Sequence, residues 1–131
     1  MQVRRYRQDD AEKVIGITRL EGKEWKAYHA PENLDRFKNA LEKSITYVAY
    51  ENDELCGYSR SVDDYACGII VCDLLVTPGH RGKNIGRQLI ECIYADCPDK
   101  EVYVMSDVDE YYAKQGYRKI GSVFEVANKS K

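Results

Sequence analysis

Glycines and cations alternate in the segment TPGHRGKNIGRQL (77–89), which lies between two apolar runs. The run before it is typical of a strand and the run after it of a helix, so the segment leads into a helix. The first backbone N–H groups of a helix have no partner inside it, and the helix dipole favours an anion beside them. Gly82 and Gly86 let the backbone approach a ligand closely, while Arg81 and Lys83 add positive charge. The segment therefore predicts a phosphate-binding loop.

The spacing of this loop excludes two common nucleotide-binding motifs. A Walker loop requires G-x-x-x-x-G-K followed by Ser or Thr, whereas Lys83 is followed by Asn84 and the glycine spacing differs. The dinucleotide-binding pattern G-x-G-x-x-G fails as well, because the glycines fall at 79, 82 and 86.

Cysteine and histidine spacing indicates neither a disulfide framework nor a zinc site. The chain has an odd number of cysteines without a C-x-x-C pair: Cys56, Cys67, Cys72, Cys92 and Cys97. The only histidines, His29 and His80, lie near no cysteine in the sequence. We therefore expect reduced, mostly buried thiols and no bound metal.

Strands and helices in the predicted order β-α-α-β-β-β-α-β-α-β must position these residues. Strands are predicted at 2–8, 45–52, 54–62, 68–76 and 101–106, with one or two more in 117–126. Helices are predicted to begin near Ala11, Pro31, Asn84 or Ile85, and Glu110. The run GIIVCDLLV (68–76) is almost continuously apolar, which is typical of a central strand buried on both faces.

Length and charge limit the classes of protein. A chain of 131 residues fits one domain, predicted over 1–127 with a short frayed tail at 128–131. The net charge of −2 opposes a nucleic-acid or anionic-membrane partner, including nucleic-acid binding through Arg81, Lys83 and Arg87. No apolar run approaches the ~20 residues of a membrane span, and the N-terminus lacks an apolar signal core. We expect a cytoplasmic protein.

The run LLVTPGHRGKNIGRQLI (74–90) resembles motif A of the GNAT family of N-acetyltransferases, V-x-P-x-x-R-G-x-G-I-G. Asn84 stands where the family has a glycine, and the rest of the core signature matches. Downstream, YYAKQGY (111–117) is similar to the family's F-Y-x-K-x-G-F. Because both motifs occur in order and the elements match along nearly the whole chain, the chain is identified as a member of this family.

The resemblance implies an α/β (α+β) GNAT fold. Its single domain would contain a mixed sheet of six to seven strands, with the fourth and fifth splayed apart and about four helices around it. Acetyl-CoA, as co-substrate, would lie in the gap between the splayed strands. Backbone groups of Leu75 and Val76 would bind the pantetheine as an added strand does. The pyrophosphate would be bound by N–H groups of the loop residues Arg81, Gly82, Lys83, Asn84, Ile85 and Gly86.

The loop departs from the family pattern at Asn84. Asparagine tolerates unusual backbone angles and caps helices well. We therefore expect phosphate binding that is weakened but retained.

Tyr112 matches the family tyrosine that protonates the CoA sulfur, so the resemblance assigns it as general acid. The general base is open. Where some members have a glutamate this chain has Ile70, and strand alternation predicts that Asp73 faces the opposite side. Asp73 is a candidate base, but a buried carboxylate requires a partner, and Arg60 is a candidate for that structural role. Asp64, a backbone carbonyl or a water chain are the other candidates.

Trp25, Tyr28 and His29 lie where family members build the acceptor wall, and Arg60 is a further candidate there. The implied reaction is acetyl transfer to a primary amine, on a small molecule or a protein, by direct transfer in a ternary complex. The alternative is a non-catalytic CoA-binding sensor or interaction domain, which Asn84 and the absent glutamate favour. Dimers are frequent in the family, so the resemblance allows a homodimer.

Overall fold

A mixed sheet forms the centre of the protein in the computed structural model, which describes residues 1–66 and 68–130. Cys67 and Lys131 lie outside the described residues. The strands are β1 (Gln2–Arg5), β2 (Ile45–Glu51), β3 (Glu54–Asp63), β4 (Gly68–Val76) and β5 (Glu101–Val104). They lie in the order β1-β2-β3-β4-β5, in which only β4 and β5 are parallel.

Four longer α-helices and two single-turn α-helices lie between and after the strands within the described residues. They are α1 (Ala11–Glu21), α2 (Lys26–His29), α3 (Leu34–Lys43), α4 (Ile85–Glu91), α5 (Ile93–Asp96) and α6 (Asp109–Lys114). The predicted fold class is confirmed, and the four longer helices follow the predicted order. Across the described chain, no helix has the length and apolar character needed to cross a membrane.

Two apolar clusters cover the two faces of the sheet. On one face, α1 and α3 pack against the strands through residues such as Ile15, Phe37 and Tyr58. On the other face, α4 and α5 contribute Leu89 and Ile93. A sheet covered on both faces explains why β4 reads as a continuous apolar run.

A β-bulge at Cys72 interrupts β4. Arg60 of β3 pairs with Asp73, but the next residue, Ser61, pairs with Val71, so Cys72 has no opposite residue. An extra residue reverses the alternation of side chains along the bulged strand. Val71 accordingly packs in the apolar cluster with α4, and Leu75 packs in the cluster with α1. In a regular strand these two residues, four positions apart, would face the same side.

The bulge corrects the expected position of Asp73. Asp73 pairs with Arg60 of β3, and Ile70 pairs with Val62 of β3. Arg60 and Val62 are two residues apart in a strand that has no bulge between them, so they lie on the same face of the sheet. Asp73 therefore faces the same side of the sheet as Ile70, and the prediction of opposite faces was wrong. Simple alternation failed because it did not include the extra residue at Cys72.

The splayed strands predicted for the centre of the sheet begin at this bulge. The pairing of β4 with β5 ends at Val71 and Val104, and the Met105 N–H still donates to the Val71 carbonyl at 2.9 Å. From Cys72 to Val76, β4 continues along β3 with no pairing to β5. A gap therefore opens beside the second half of β4.

The predicted strand count of six to seven was wrong for the described residues. The segment 117–126, expected to add one or two strands, has no helix or strand assignment. Its large apolar side chains are exposed: Ile120 by 61%, Val123 by 69%, Phe124 by 85% and Val126 by 89%. Side chains that suit a strand form one only where a neighbouring edge pairs with them, and in the structure this segment pairs with no strand.

Gly57 controls how closely α4 approaches the sheet. A Cβ at this position would lie 2.9 Å from the Leu75 carbonyl oxygen and 3.1 Å from Leu89 Cδ1. We expect Gly57→Ala to lower the free energy of unfolding by about 1–3 kcal/mol through overpacking. Urea denaturation of this variant and of a matched control, Gly16→Ala in α1, provides the test.

Gly16 lies where an added Cβ would meet no atom within 4 Å. Its replacement should raise the free energy of unfolding by roughly 0.5–1 kcal/mol, because alanine is the better helix former. Equal effects of the two substitutions would contradict the close approach of α4 to Gly57.

Candidate functional site

The predicted phosphate loop joins β4 to α4 through left-handed backbone. Gly82 has φ 84° and Asn84, the residue before α4, has φ 63° and ψ 19°. Asparagine adopts this conformation more readily than most residues, so it can replace the family glycine without changing the path of the chain. The Asn84 side chain makes no capping hydrogen bond to α4, contrary to the expectation that it would cap the helix.

The loop leaves backbone N–H groups open at the start of α4. Within the described residues, the N–H groups from Gly82 to Gly86 donate no hydrogen bond to another residue, and the first bond into the helix runs from Gln88 to Asn84. The N–H groups of this stretch are available to an anion. A Cβ at Gly82 would also meet no atom within 4 Å, so the loop is open on that side.

The cations of the loop are engaged by protein groups. Arg81 Nε donates to the Val76 carbonyl at 2.9 Å, and its Nη2 lies 2.7 Å from Glu21 Oε1. Lys83 Nζ lies 4.0 Å from Glu51 Oε2 and is about half exposed. Arg81 is thus directed at the end of β4 and at α1, whereas the Lys83 contact is long enough to be exchanged for another anion.

Tyr111 lies over the first turn of α4, a position that the sequence did not indicate. A Cβ at Gly86 would collide with the Tyr111 hydroxyl group and would touch Leu74 Cδ2 at 3.6 Å. Gly86 is therefore required for the approach of Tyr111 to the loop. The family motif assigns a role to the neighbouring Tyr112, and no sequence signal indicated one for Tyr111.

Tyr112 lies in α6, the helix that follows β5 along the chain, and its side chain is half-buried. Its ring lies 5.0 Å from that of Tyr111 and is stacked on Tyr117 at 6.3 Å between centroids. Burial raises the pKa of Tyr112 to about 12, with smaller contributions from Tyr111 and Asp107. Among the described residues, the Tyr112 hydroxyl makes no hydrogen bond, so its proton is free for another partner.

Asp73 is the centre of a buried polar cluster. Arg60 donates from Nε to Oδ2 at 2.7 Å and from Nη2 to Oδ1 at 3.3 Å. The hydroxyl groups of Tyr28 and Tyr58 donate to the same carboxylate at 2.9 and 3.2 Å. The Asp73 side chain is 0% exposed and that of Arg60 16%. Both carboxylate oxygens are therefore already occupied by protein donors.

Aromatic side chains join this cluster to the helical layer above the sheet. The Trp25 ring lies 5.3 Å from Tyr28 and 6.4 Å from Tyr58, and Tyr28 lies 5.0 Å from Phe37. Burial raises the pKa of Tyr28 to about 12, and Asp73 adds to the effect. The structure thus brings together Trp25 and Tyr28 with Asp73.

His29 lies apart from this group. It lines an open groove together with Arg19, Lys23 and Lys26, at the end of α1 and along α2. Its Nδ1 is buried and has no hydrogen-bond partner among the described residues. The structure therefore separates His29 from the other two aromatic residues predicted for the acceptor wall.

The cysteines of the described chain are free thiols. Cys56 is buried, and Cys72, Cys92 and Cys97 are half-buried. In the described residues, no group of three or more His, Cys, Asp or Glu side chains could hold a metal ion.

The gap beside β4 and the loop before α4 both lie in the part of the chain that one family model matches. A family model described as the acetyltransferase (GNAT) domain matches residues 4–129. The chain belongs to the GNAT acetyltransferase family.

Solved structures with the same fold cover nearly all of the chain. A GNAT family acetyltransferase, SP0256 from Streptococcus pneumoniae TIGR4, superposes with a TM-score of 0.73 at 18% identity. The superposition covers 97% of this chain and 98% of that protein. The acetyltransferase AAC(6')-Iy, in complex with the bisubstrate analogue CoA-S-monomethyl-acetylneamine, has a TM-score of 0.75 at 12% identity, with 98% and 97% covered. At these identities, the similarity establishes the fold.

A curated relative in Glycine max, named histone acetyltransferase TAP1, is 29% identical over 84 residues, which is 60% of this chain. The match covers 36% of TAP1 and 34% of the related TAP2. The chain thus spans about a third of the length of the curated relatives that it matches.

Proposed function

We propose that this protein transfers an acetyl group from acetyl-CoA to a primary amine, by direct transfer in a ternary complex. The observation that carries the proposal is the gap beside Cys72–Val76, which opens next to the unpaired N–H groups of Gly82–Gly86. The AAC(6')-Iy structure, which binds an analogue that joins CoA to an acetylated acceptor, supports a site of this kind for both substrates. The acceptor is a small molecule or a protein.

Backbone groups would provide most of the cofactor contacts. In the proposal, Leu75 lies beside the pantetheine, and the N–H groups from Gly82 to Gly86 bind the pyrophosphate. The Val76 carbonyl already accepts a hydrogen bond from Arg81, so Arg81 shapes the end of β4 more than it contacts phosphate. Lys83 is the loop cation with the weakest contact to the protein, and we assign it to the phosphates.

The chemistry requires an uncharged amine, because its lone pair must attack the thioester carbonyl carbon. A lysine-like amine has a pKa of about 10.4, so neutralising it at pH 7 costs about 4–5 kcal/mol. The carbon–sulfur bond then breaks, and the thiolate takes a proton from Tyr112. A phenol whose pKa is raised to about 12 carries that proton at any neutral pH.

Asp73 is assigned a structural role in the proposal. Its oxygens accept hydrogen bonds from Arg60, Tyr28 and Tyr58, so it has no free lone pair directed at a substrate amine. Through Tyr28 it fixes α2 against the sheet, which is where the acceptor wall is expected. A water chain, oriented by a backbone carbonyl, is then proposed to carry the amine proton to solvent, and solvent returns a proton to Tyr112.

The second candidate function is a CoA-binding domain without catalysis. Ile70 in place of a glutamate and Asn84 in place of a glycine favour it, as does the pairing of Arg81 with Glu21. The two candidates share the cofactor and differ only in turnover. The domain boundaries at 127 and 128 and the cytoplasmic location stay predictions under either candidate.

Thermal unfolding with and without acetyl-CoA tests the cofactor site. Ligand at about a hundred times its dissociation constant should stabilise the fold by about 2.7 kcal/mol, or roughly 10 °C for a domain of this size. Circular dichroism is the appropriate readout, because the exposed Phe124 and Val126 would bind hydrophobic dyes. Desulfo-CoA should shift the transition similarly and ATP much less.

An amine panel followed by mass spectrometry separates the two functions. Accumulation of an acetylated amine above the uncatalysed rate supports the transferase. A thermal shift without turnover on any amine favours the binding domain, and the absence of a shift would overturn the cofactor assignment itself.

A further inference from the structure

A groove between α1 and α2 is lined by four basic side chains. Arg19 lies near the end of α1, Lys26 and His29 belong to α2, and Lys23 lies in the connection between the two helices. Among the described residues, no acidic side chain lines this groove. Its volume is about 550 Å³, and small-molecule sites occupy roughly 300–1,000 Å³. The groove is thus large enough for a small molecule, and its charge favours an anion.

The positive charge of the groove is not neutralised by the protein. The arginine and the two lysines are exposed, and none of them forms an ion pair with another described residue. The nearest acids along the chain are Glu21, which is directed to Arg81 at 2.7 Å, and Glu24, which does not line the groove. The chain as a whole carries a net charge of −2, so this positive surface is local. An anion in the groove would meet cations that have no ion-pair partner of their own.

His29 adds an unused hydrogen-bonding atom to the wall of the groove. Its Nδ1 is buried and has no hydrogen-bond partner within the described part of the chain. Buried polar atoms in folded proteins are nearly always hydrogen-bonded, so each exception requires an explanation. A nitrogen without a partner, on a ring that lines a cationic groove, indicates that a polar ligand completes the site.

Gly22 forms the turn that brings α1 and α2 together around the groove. Its φ of 95° and ψ of −152° lie in a region of backbone conformation that is essentially restricted to glycine. A Cβ at this position would meet no atom within 4 Å, so the backbone angles, and not lack of space, require glycine here. The local sequence therefore fixes the shape of the groove.

Both helices that form the groove are attached to the half of β4 that borders the gap. At the end of α1, Glu21 pairs with Arg81, whose Nε donates to the Val76 carbonyl at 2.9 Å. In α2, the Tyr28 hydroxyl donates to Asp73 at 2.9 Å. The groove therefore lies above this half of β4, at a distance of about one helix diameter, roughly 10 Å.

We propose that the groove binds the anionic end of the acceptor, which is then a small primary amine that carries a carboxylate or a phosphate at the far end of an apolar chain. The cations suit the oxyanion, and Ala30 and Pro31 provide an apolar lining for the chain. A lysine-rich acceptor does not fit this groove, because like charges repel. The inference rests on the proposed acetyl transfer and specifies its acceptor.

A series of ω-amino acids, from aminobutanoate to aminooctanoate, tests the proposal when each acid is compared with its own amide. The amide keeps the amine and the chain length and removes only the negative charge. We expect kcat/KM for the longest acid to exceed that for its amide at least about tenfold, and the ratio to rise with chain length as the amine reaches the gap. Aminohexyl phosphate beside aminohexanoate distinguishes a phosphate from a carboxylate, and a preference for either over the amide supports the proposal.

A double substitution and a matched control assign the preference to the groove. Arg19→Gln combined with Lys26→Gln should lower the acid-to-amide ratio of kcat/KM toward one. Arg36→Gln combined with Lys43→Gln removes the same charge from exposed positions of α3 that form no ion pair with a described residue, and should keep the ratio. Circular dichroism verifies that both variants are folded.

Calorimetric titration of aminooctanoate and its amide, with and without CoA, measures binding in the absence of turnover. Tighter binding of the acid, lost in the Arg19 and Lys26 variant, supports the groove even if no amine is acetylated, and in that case the acetyl transfer is what fails. Equal rates and equal affinities for acids and amides overturn the inference and leave the transfer intact. Faster acetylation of a lysine-rich peptide than of every anionic amine also overturns it.

Discussion

Replacing Tyr112 with phenylalanine should leave the affinity for acetyl-CoA unchanged and lower kcat by about tenfold or more. The phenol would no longer protonate the departing thiolate, and a positioned acid or base contributes about 10²–10⁴-fold to such a step. The ring would still pack against Tyr111 and Tyr117, so the fold and the cofactor site should be retained. Steady-state kinetics with an amine found in the panel, together with the thermal shift by acetyl-CoA, measure both quantities.

Tyr117→Phe and Tyr111→Phe are the matched controls. Tyr117 donates its hydroxyl proton to Glu91, so its loss should alter kcat little. Tyr111 approaches Gly86 at the loop, so its loss should affect KM for acetyl-CoA more than kcat. If Tyr111→Phe lowered kcat and Tyr112→Phe did not, the proton donor would be Tyr111.

The pH profile adds an independent criterion. The acid must be protonated to act, and a pKa of about 12 keeps Tyr112 protonated until the solution becomes strongly alkaline. Rates should therefore rise as the amine loses its proton and should show no fall due to Tyr112 below about pH 10.

Replacing Asp73 with asparagine should have the largest effect on stability. Removing one partner of a buried ion pair costs about 3–5 kcal/mol, because the remaining charge loses its compensation. Here Arg60 would stay in place with only 16% of its side chain exposed, and Tyr28 and Tyr58 would lose a charged acceptor. Urea denaturation should show a loss of this size, which is a large share of the 5–15 kcal/mol typical of a domain.

Asp109→Asn is the control for this substitution. Asp109 pairs with Lys119 at 3.1 Å, but the two side chains are 60% and 65% exposed. Exposed ion pairs contribute little to stability because solvent screens them, so the control should be nearly neutral. Unchanged stability of Asp73→Asn combined with a large loss of kcat would instead make Asp73 the general base.

The backbone conformation of the predicted phosphate loop could be derived from the sequence because its signal is local. Glycines, the helix start and the tolerance of asparagine for left-handed backbone are properties of neighbouring residues, and Gly82 and Asn84 adopt the expected conformation. The order of elements up to α6 was predictable for the same reason. Whether the loop binds phosphate stays a prediction until the ligand measurements are made.

Other features depend on contacts that no local pattern contains. An apolar strand such as 68–76 reads the same with or without a bulge, so the side on which Asp73 lies could not be derived. The direction of Arg81 depends on Glu21, which is 60 positions away in the chain. The strands expected in 117–126 are absent because a strand requires an edge to pair with, and a local sequence pattern does not contain that pairing.

The bulge at Cys72 also marks a place where the length of β4 can change by one residue among related chains. Deleting Cys72 would leave a regular ladder in which Val71 and Asp73 stay opposite Ser61 and Arg60, so both faces of the strand would be preserved. Deleting or adding a residue elsewhere in the strand, with the bulge retained, would move the side chains beyond that point to the other face. Related chains that lack the bulge should therefore be one residue shorter at this position, and alignments that place the gap elsewhere in the strand would misassign the residues between.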